Sequence, residues 1–157
     1  MTVETTYLEL TDPAAIRPAK PPRVAAAIMR VEPPDGAINR WCYETVGADW
    51  SWTDHLGRDD AWWQGHAEAV ETWLLEVEAQ RAGYVELRPE GGAAKLEHFG
   101  LLPAFHGLGL GGHLLEFALR RGFALGGRVW LHTCTLDGPH ALANYRARGL
   151  VPFRVER

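Results

Sequence analysis

Serine is all but missing. Ser51, between Trp50 and Trp52, is the only one in 157 residues, so neither a Gly-x-Ser-x-Gly elbow nor a Ser-x-x-Lys pair is available for acyl-enzyme chemistry. Cysteine is scarce as well. Cys42 and Cys134 stand far apart without a Cys-x-x-Cys or paired-histidine spacing beside them, which argues against a metal site and favours two buried free thiols over a disulfide. There is no basic run to neutralise a row of phosphates, and 16 Lys+Arg against 20 Asp+Glu leave a net charge of −4; nucleic acid is not an expected partner. Long apolar stretches are also missing. The longest unbroken one, Val24 to Met29, falls far short of the ~18 residues that span a bilayer. Residues 1–10 carry neither the basic nor the apolar region of an export signal, so the expectation is a cytoplasmic protein with no membrane partner.

What is present is the composition of a folded domain, with 46% hydrophobic and 23% charged residues,. Prolines crowd between residues 12 and 34, glycines gather late, and no internal repeat is found. Periodicity predicts strands over 5–10 and 23–32, a helix from Asp35 to Val46 stopped by Gly47, and a helix over 59–69 opened by Asp59-Asp60. Trp41 and Tyr43 cannot both lie on the inner face of the first helix. Three strands should follow at 72–78, 83–88 and 94–102, joined by Gln80-Arg81-Ala82 and by Pro89-Glu90-Gly91-Gly92. After Pro103 the period becomes helical: Gly111, Leu114, Leu115, Ala118, Leu119, Gly122 and Leu125 form one stripe, with Glu116 and Arg120 paired outside. A strand over 128–135, a helix capped by Asp137 and entered through Pro139, and a strand over 150–155 complete a mixed α/β sheet. It should be antiparallel early and cross over through a helix late.

The most informative segment runs from Leu101 through Pro103 and His106 to Gly112, a strand passing through a glycine loop into a helix. Four glycines let a ligand approach the backbone, and the first turn of the helix offers unpaired N–H groups at the positive end of its dipole. A phosphate or pyrophosphate would fit; a plain packing turn is the competing interpretation. Gly107-x-Gly109-x-x-Gly112 matches the dinucleotide fingerprint in form, yet only a short stretch follows it and Leu131 to Thr135 contains no acid,. A P-loop fails because no Gly-Lys-Ser/Thr ends the motif. Coenzyme A is the third candidate.

His106-Gly107-Leu108-Gly109-Leu110-Gly111 resembles the Gln/Arg-x-x-Gly-x-Gly/Ala motif of the GNAT superfamily of N-acetyltransferases, with His106 in place of the usual first residue. Ala141, Tyr145 and Gly149-Leu150 resemble that family's second block, Leu150 standing where Phe is usual. Together the blocks cover residues 94–153. Asn39-Arg40-Trp41, Trp50 to Asp54, Thr135-Leu136-Asp137 and Asn144-Tyr145-Arg146 are similar to a smaller bacterial group of GNAT-like proteins. The resemblance implies an α/β (α+β) fold, a single domain over 1–157 with a mostly antiparallel central sheet flanked by helices. Residues 1–93 would form its acceptor side and 94–157 its coenzyme A side. It implies acetyl-CoA as cosubstrate, no metal, an amine-bearing acceptor of unknown identity, and direct acyl transfer in a ternary complex. A homodimer is an open alternative.

On this resemblance the backbone of Phe99 and Leu101 pairs with the pantetheine arm, and His106, Gly107, Leu108, Gly109, Leu110, Gly111 and Gly112 surround the pyrophosphate, with Asn144 nearby. The Leu101 amide is the oxyanion donor and Tyr145 the general acid, although a tyrosine on an amphipathic helix can equally be core. Glu97 is the candidate base. Strand parity puts it on one face with Phe99 and Leu101, and His98, the alternative base, on the other. Gly100 marks a bulge or a close backbone approach. Trp41, Trp50 and Trp52 are candidates for the acceptor pocket or for the core. His132 and Cys134 share a strand face and suggest a less favoured thiol nucleophile. Other functions remain open: a non-catalytic coenzyme A-binding module that recognises a partner protein, or a nucleotide-binding protein using the same loop.

Overall fold

The computed structural model describes residues 2–138 and 140–157. In chain order the elements are β1 (Thr5–Leu10), β2 (Ala27–Arg30), α1 (Gly36–Gly47), α2 (Asp60–Ala69), β3 (Glu71–Val77), β4 (Gln80–Glu90), β5 (Ala93–Leu101), α3 (Leu110–Leu125), β6 (Arg128–Cys134), α4 (Ala141–Ala147) and β7 (Val151–Glu156). The strands form one seven-stranded sheet in the order β2-β3-β4-β5-β6-β1-β7. Every neighbouring pair is antiparallel except β5 and β6, which α3 connects as a parallel crossover,.

Local chemistry sets the helix starts. The carboxylates of Asp35 and Asp59 accept the amides of Ala37 and Trp62 and so cap α1 and α2,. In α3 the stripe Leu110, Leu114, Leu115, Ala118 and Leu119 is fully buried against the sheet, joining Leu8, Leu75, Val85, Leu87, Val129 and Leu131 in the larger core. Each buried leucine of this kind stabilises by about 1.5–3 kcal/mol. A smaller core on the opposite face packs α1 on the sheet through Cys42, Val46, Leu74 and Tyr84. In α1, Tyr43 points inward and is buried while Trp41 is exposed.

Several boundaries differ from expectation. The β3–β4 turn is Glu78-Ala79, both in the left-handed region, so β4 starts at Gln80 rather than Gly83. The next turn is Gly91-Gly92 alone, and Pro89 stays within β4. β2 covers only the end of the expected 23–32 strand. Asp137 does not cap α4; it sits in a short 3-10 turn, and α4 is preceded by His140 without a side-chain cap. Pro139, expected at the entrance of that helix, lies outside the described residues.

Candidate active site

The parallel pairing of β5 and β6 is brief: Ala93–Lys95 face Arg128–Trp130, and beyond them no register continues. The two strands therefore part toward their C-terminal ends. A cleft of about 1130 Å³ fills the opening, walled by both strands, the glycine loop, the start of α3, α4 and the α1–α2 connection. Residues of both halves of the chain line it.

The parting frees backbone groups. Leu102 donates its amide to the Ala82 carbonyl on β4, so by strand alternation the Leu101 amide points the other way, into the cleft. The Leu101 carbonyl accepts from His106 Nε2 at 3.3 Å. Gly100 is a close approach, as expected, because a Cβ there would overlap Val46 Cγ1 of α1; the bulge of β5 lies elsewhere, as shown below. In the loop, Gly107 and Gly109 have φ of +80° and +75°, a conformation that glycine adopts without strain. Gly109 directly precedes α3, leaving the first-turn amides of that helix unpaired within it,. The Asn144 side chain lies beside Gly111, and the Arg148 guanidinium beside Gly112. His106 stacks on Trp50 with ring centroids 6.3 Å apart. Leu108 does not line the cleft: its side chain packs on the larger core and its carbonyl accepts from Arg23. Leu110 is buried as a side chain and reaches the cleft through its backbone.

Tyr145 stands on the cleft wall against Phe99, ring centroids 6.1 Å apart. Burial raises its phenol well above the ordinary value, with Asp137 adding in the same direction, so it keeps its proton at neutral pH. Asp137 itself receives Thr133 Oγ1 (2.7 Å), the Cys134 amide (2.9 Å) and Trp52 Nε1 (3.3 Å).

The strand parity expected for Glu97 is wrong. Consecutive residues Glu86 and Leu87 of β4 face His98 and Leu96 of β5, so Glu97 is the extra residue of a β-bulge. Its carboxylate turns to the α1–α2 face, where it accepts from Arg88 Nε (3.0 Å) and sits 3.5 Å from Lys95 Nζ. Burial alone would raise Glu97, but Lys95 and the Arg88 hydrogen bond outweigh it and hold the carboxyl below its ordinary range. Glu97 and His98 thus share one side of the strand, and Phe99 and Leu101 the other.

His98 leads to a fully enclosed carboxylate. Its Nδ1 lies 2.6 Å from Glu86 Oε1, while His66 Nε2 lies 2.8 Å from the same oxygen and Asn39 Nδ2 donates to Oε2 at 2.6 Å. Glu86 is 0% exposed. Desolvation pushes its carboxyl up, yet the His98 charge and the hydrogen bonds from both imidazoles push it down further, and the net direction is strongly down. His66, Glu86 and His98 have ligand atoms within 4.8 Å of one another. Both imidazoles aim an N–H at the carboxylate with Asn39 as a further donor, so the set closes as hydrogen bonds. Sequence reasoning missed Glu86, His66 and Arg148, and met Asn39 only through the resemblance of Asn39-Arg40-Trp41, since a polar residue in an amphipathic element carries no signal of its role until its partners arrive from other elements.

Trp50 and Trp52 line the cleft with Tyr43 and His55, and Tyr43 and Trp52 are 5.6 Å apart. Trp41 does not. It faces outward from α1, with the Arg81 guanidinium 5.0 Å above its ring. His132 and Cys134 both reach the cleft, but His132 packs on Tyr7 at 5.4 Å and the thiol accepts the Asp137 amide. Both thiols are free, and burial, with Glu86 nearby, pushes Cys42 up to about 12.

The comparisons agree with this geometry. Residues 37–150 match the model of the acetyltransferase (GNAT) family, and the chain belongs to that family. Among solved structures it is similar to a GCN5-related N-acetyltransferase from Kribbella flavida (19% identity, TM-score 0.64, 96% of this chain and 56% of that one). A GCN5-related N-acetyltransferase from Sphaerobacter thermophilus is similar too (14%, TM-score 0.70, 98% and 49%). So is a GNAT family acetyltransferase from Brucella melitensis in complex with acetyl-CoA (22%, TM-score 0.52, 65% and 71%). The chain spans about half the length of the first two. Among curated proteins none matches the sequence. No helix among the described residues is long and apolar enough to cross a membrane.

Proposed function

We propose that this protein is an acetyl-CoA-dependent N-acetyltransferase that moves the acyl group to a primary amine, of a small molecule or a protein, by direct transfer in a ternary complex. The observation that carries the reading is the Leu101 amide, turned out of the sheet into the cleft where β5 and β6 part. The cradle fits a coenzyme A thioester: around Gly107 a Cβ would meet nothing within 4 Å, so a ligand has room at the backbone. The acetyl-CoA complex of the Brucella protein adds support.

The thioester supplies an activated acyl group with a thiolate leaving group. Phe99 and Leu101 offer backbone pairing to the pantetheine arm, while the amides from Gly107 to Gly112, with Asn144, hold the pyrophosphate. The Arg148 guanidinium, beside Gly112, adds positive charge there. The Leu101 N–H stabilises the developing oxyanion, a contribution of about 3–4 kcal/mol where single donors have been removed from such sites. Tyr145, protonated and on the cleft wall, gives its proton to the departing sulfur. For the amine proton the cleft offers two groups, Glu97, whose carboxylate Arg88 and Lys95 hold, and His98. Trp50, Trp52 and Tyr43 offer aromatic faces to the acceptor. The reading places the protein in the cytoplasm, consistent with its free thiols,.

Parallel calorimetric titration with acetyl-CoA, CoA and NAD tests the cofactor: micromolar binding of the first two and none of NAD is expected, and NAD binding without CoA binding would overturn it. Tyr145→Phe should lower kcat by about 100-fold or more with acetyl-CoA affinity unchanged. Unchanged turnover removes the acid role, and CoA binding without turnover on any amine leaves a binding module.

A further inference from the structure

The α1–α2 side of the cleft holds a feature that acyl transfer as described above does not require. Glu86 is a carboxylate in the interior of β4, taken wholly out of water. Burying such a charge costs several kcal/mol, and replacing a buried ionic group with apolar side chains is often neutral or stabilising. Three donors converge on it from three elements: Asn39 from α1, His66 from α2 and His98 from β5. Stability alone is a weak reason for this arrangement.

The donors fix the tautomers. A carboxylate only accepts, so His98 must carry its proton on Nδ1 and His66 on Nε2. His66 is then closed at both ends, since its Nδ1 faces Arg88 at 3.5 Å and its side chain is 4% exposed. His98 is not. Its Nε2 has no hydrogen-bond partner among the described residues, and the residue lines the cleft with 13% of its side chain exposed. The groups around this imidazole are Glu86 from β4, His66 from α2, Tyr43 from α1, His55 from the α1–α2 connection, Glu97 beside it and His132 from β6, while Arg88 reaches Glu97 and His66. Glu86 is the one anion among them in hydrogen-bond contact with the ring. Tyr43 and Trp52 rings, 5.2 and 5.3 Å away, hold the plane.

We propose that His98 is the base that deprotonates the acceptor amine and that Glu86 is its positioning residue, a buried carboxylate–imidazole pair with His66 and Asn39 locking the carboxylate. This deepens the N-acetyltransferase reading and rests on it. His98 Nε2 takes one proton from the acceptor ammonium, freeing the lone pair that forms the C–N bond as the C–S bond breaks. Tyr145 donates its proton to the sulfur and regains one from the same nitrogen. The net proton leaves through His98 to solvent, and no oxidant or further reactant is needed.

The test uses the full chain. His98→Gln should lower kcat by about 100-fold with acetyl-CoA affinity unchanged. Glu86→Gln should lower kcat by about 10-fold or more while KM for acetyl-CoA is unchanged. Glu86→Asp should restore part of kcat. A fall in kcat matched by an equal fall in acetyl-CoA affinity, or no rescue by Glu86→Asp, means a structural role only and overturns the proposal. Nitrogen-15 NMR of the histidines, without substrate, provides a second measurement that does not depend on turnover. Wild-type His98 should show the Nδ1–H tautomer and lose that preference in Glu86→Leu; an Nε2–H tautomer in the wild type, or an unchanged one in the variant, overturns the relay. Activity removed by a chelator and restored by zinc would overturn it as well. If no amine releases CoA while the NMR result holds, it is the transferase reading that fails.

Discussion

Gly100 illustrates how one residue fixes the distance between a helix and the strand that carries the site. Adding a methyl there drives it into Val46, which is itself buried in the smaller core. Gly100→Ala should therefore lose about 1–3 kcal/mol through overpacking, read as a lower denaturant midpoint at unchanged slope. Val46→Ala introduced beside it should return part of the loss, and full stability of Gly100→Ala alone would show that α1 yields freely. At this scale the position of Tyr145 was legible, because the spacing of the resembled motif put it on α4, which walls the cleft. Glu97 was misread because strand alternation assumes an unbroken ladder, and a single inserted residue moved its carboxylate to the other face. Glu86 was invisible: a glutamate within a strand looks solvated until Asn39, His66 and His98 are brought around it.

At the scale of elements, the helices followed their signals closely. Asp35 and Asp59 cap α1 and α2 where expected, and the leucine stripe of α3 is the buried one. Turns followed less well. The two-residue connection of β3 and β4 places Glu78 and Ala79 at φ of +52° and +62°, a geometry that favours Asn-Gly and costs other residues roughly 1 kcal/mol each. Replacing the pair, Glu78→Asn with Ala79→Gly, should raise stability by about 1 kcal/mol, seen as a higher melting temperature with catalysis unchanged. A lower one would mean that the left-handed pair is not the native turn. Asp137 was expected to start α4 and instead ties Thr133, the Cys134 amide and Trp52 together, so a capping residue by composition became a bracket between β6 and the α1–α2 connection.

For the whole molecule the balance of buried titratable groups predicts acid sensitivity. Burial, with His98 and His66 adding, lowers His55 below its ordinary 6.5. Its folded form therefore binds fewer protons than the unfolded chain, and the associated stability is complete above about pH 6.5 and falls as pH drops below. Glu71, held down mainly by its Arg121 hydrogen bond, and the depressed Glu97 and Glu86 contribute stability that is full above their ordinary 4.5 and is lost below it,. Thermal unfolding followed by circular dichroism should thus show a shallow decline from pH 6.5 to 5 and a steep one below 4.5. Constant or rising stability over that range would contradict these directions.

Local chemistry in the sequence determined the elements and the half of the site that depends on backbone: apolar period, capping aspartates and the glycine loop act within a few residues of chain, so His106 to Gly112 and Tyr145 could be picked out by pattern. The tertiary structure decided what depends on meeting across the fold. The parting of β5 and β6, the bulge that turns Glu97, the outward position of Trp41 and the enclosure of Glu86 by three elements each depend on distances between residues remote in sequence. A buried charge is tolerated only where such distant donors arrive together, and no local pattern encodes their arrival.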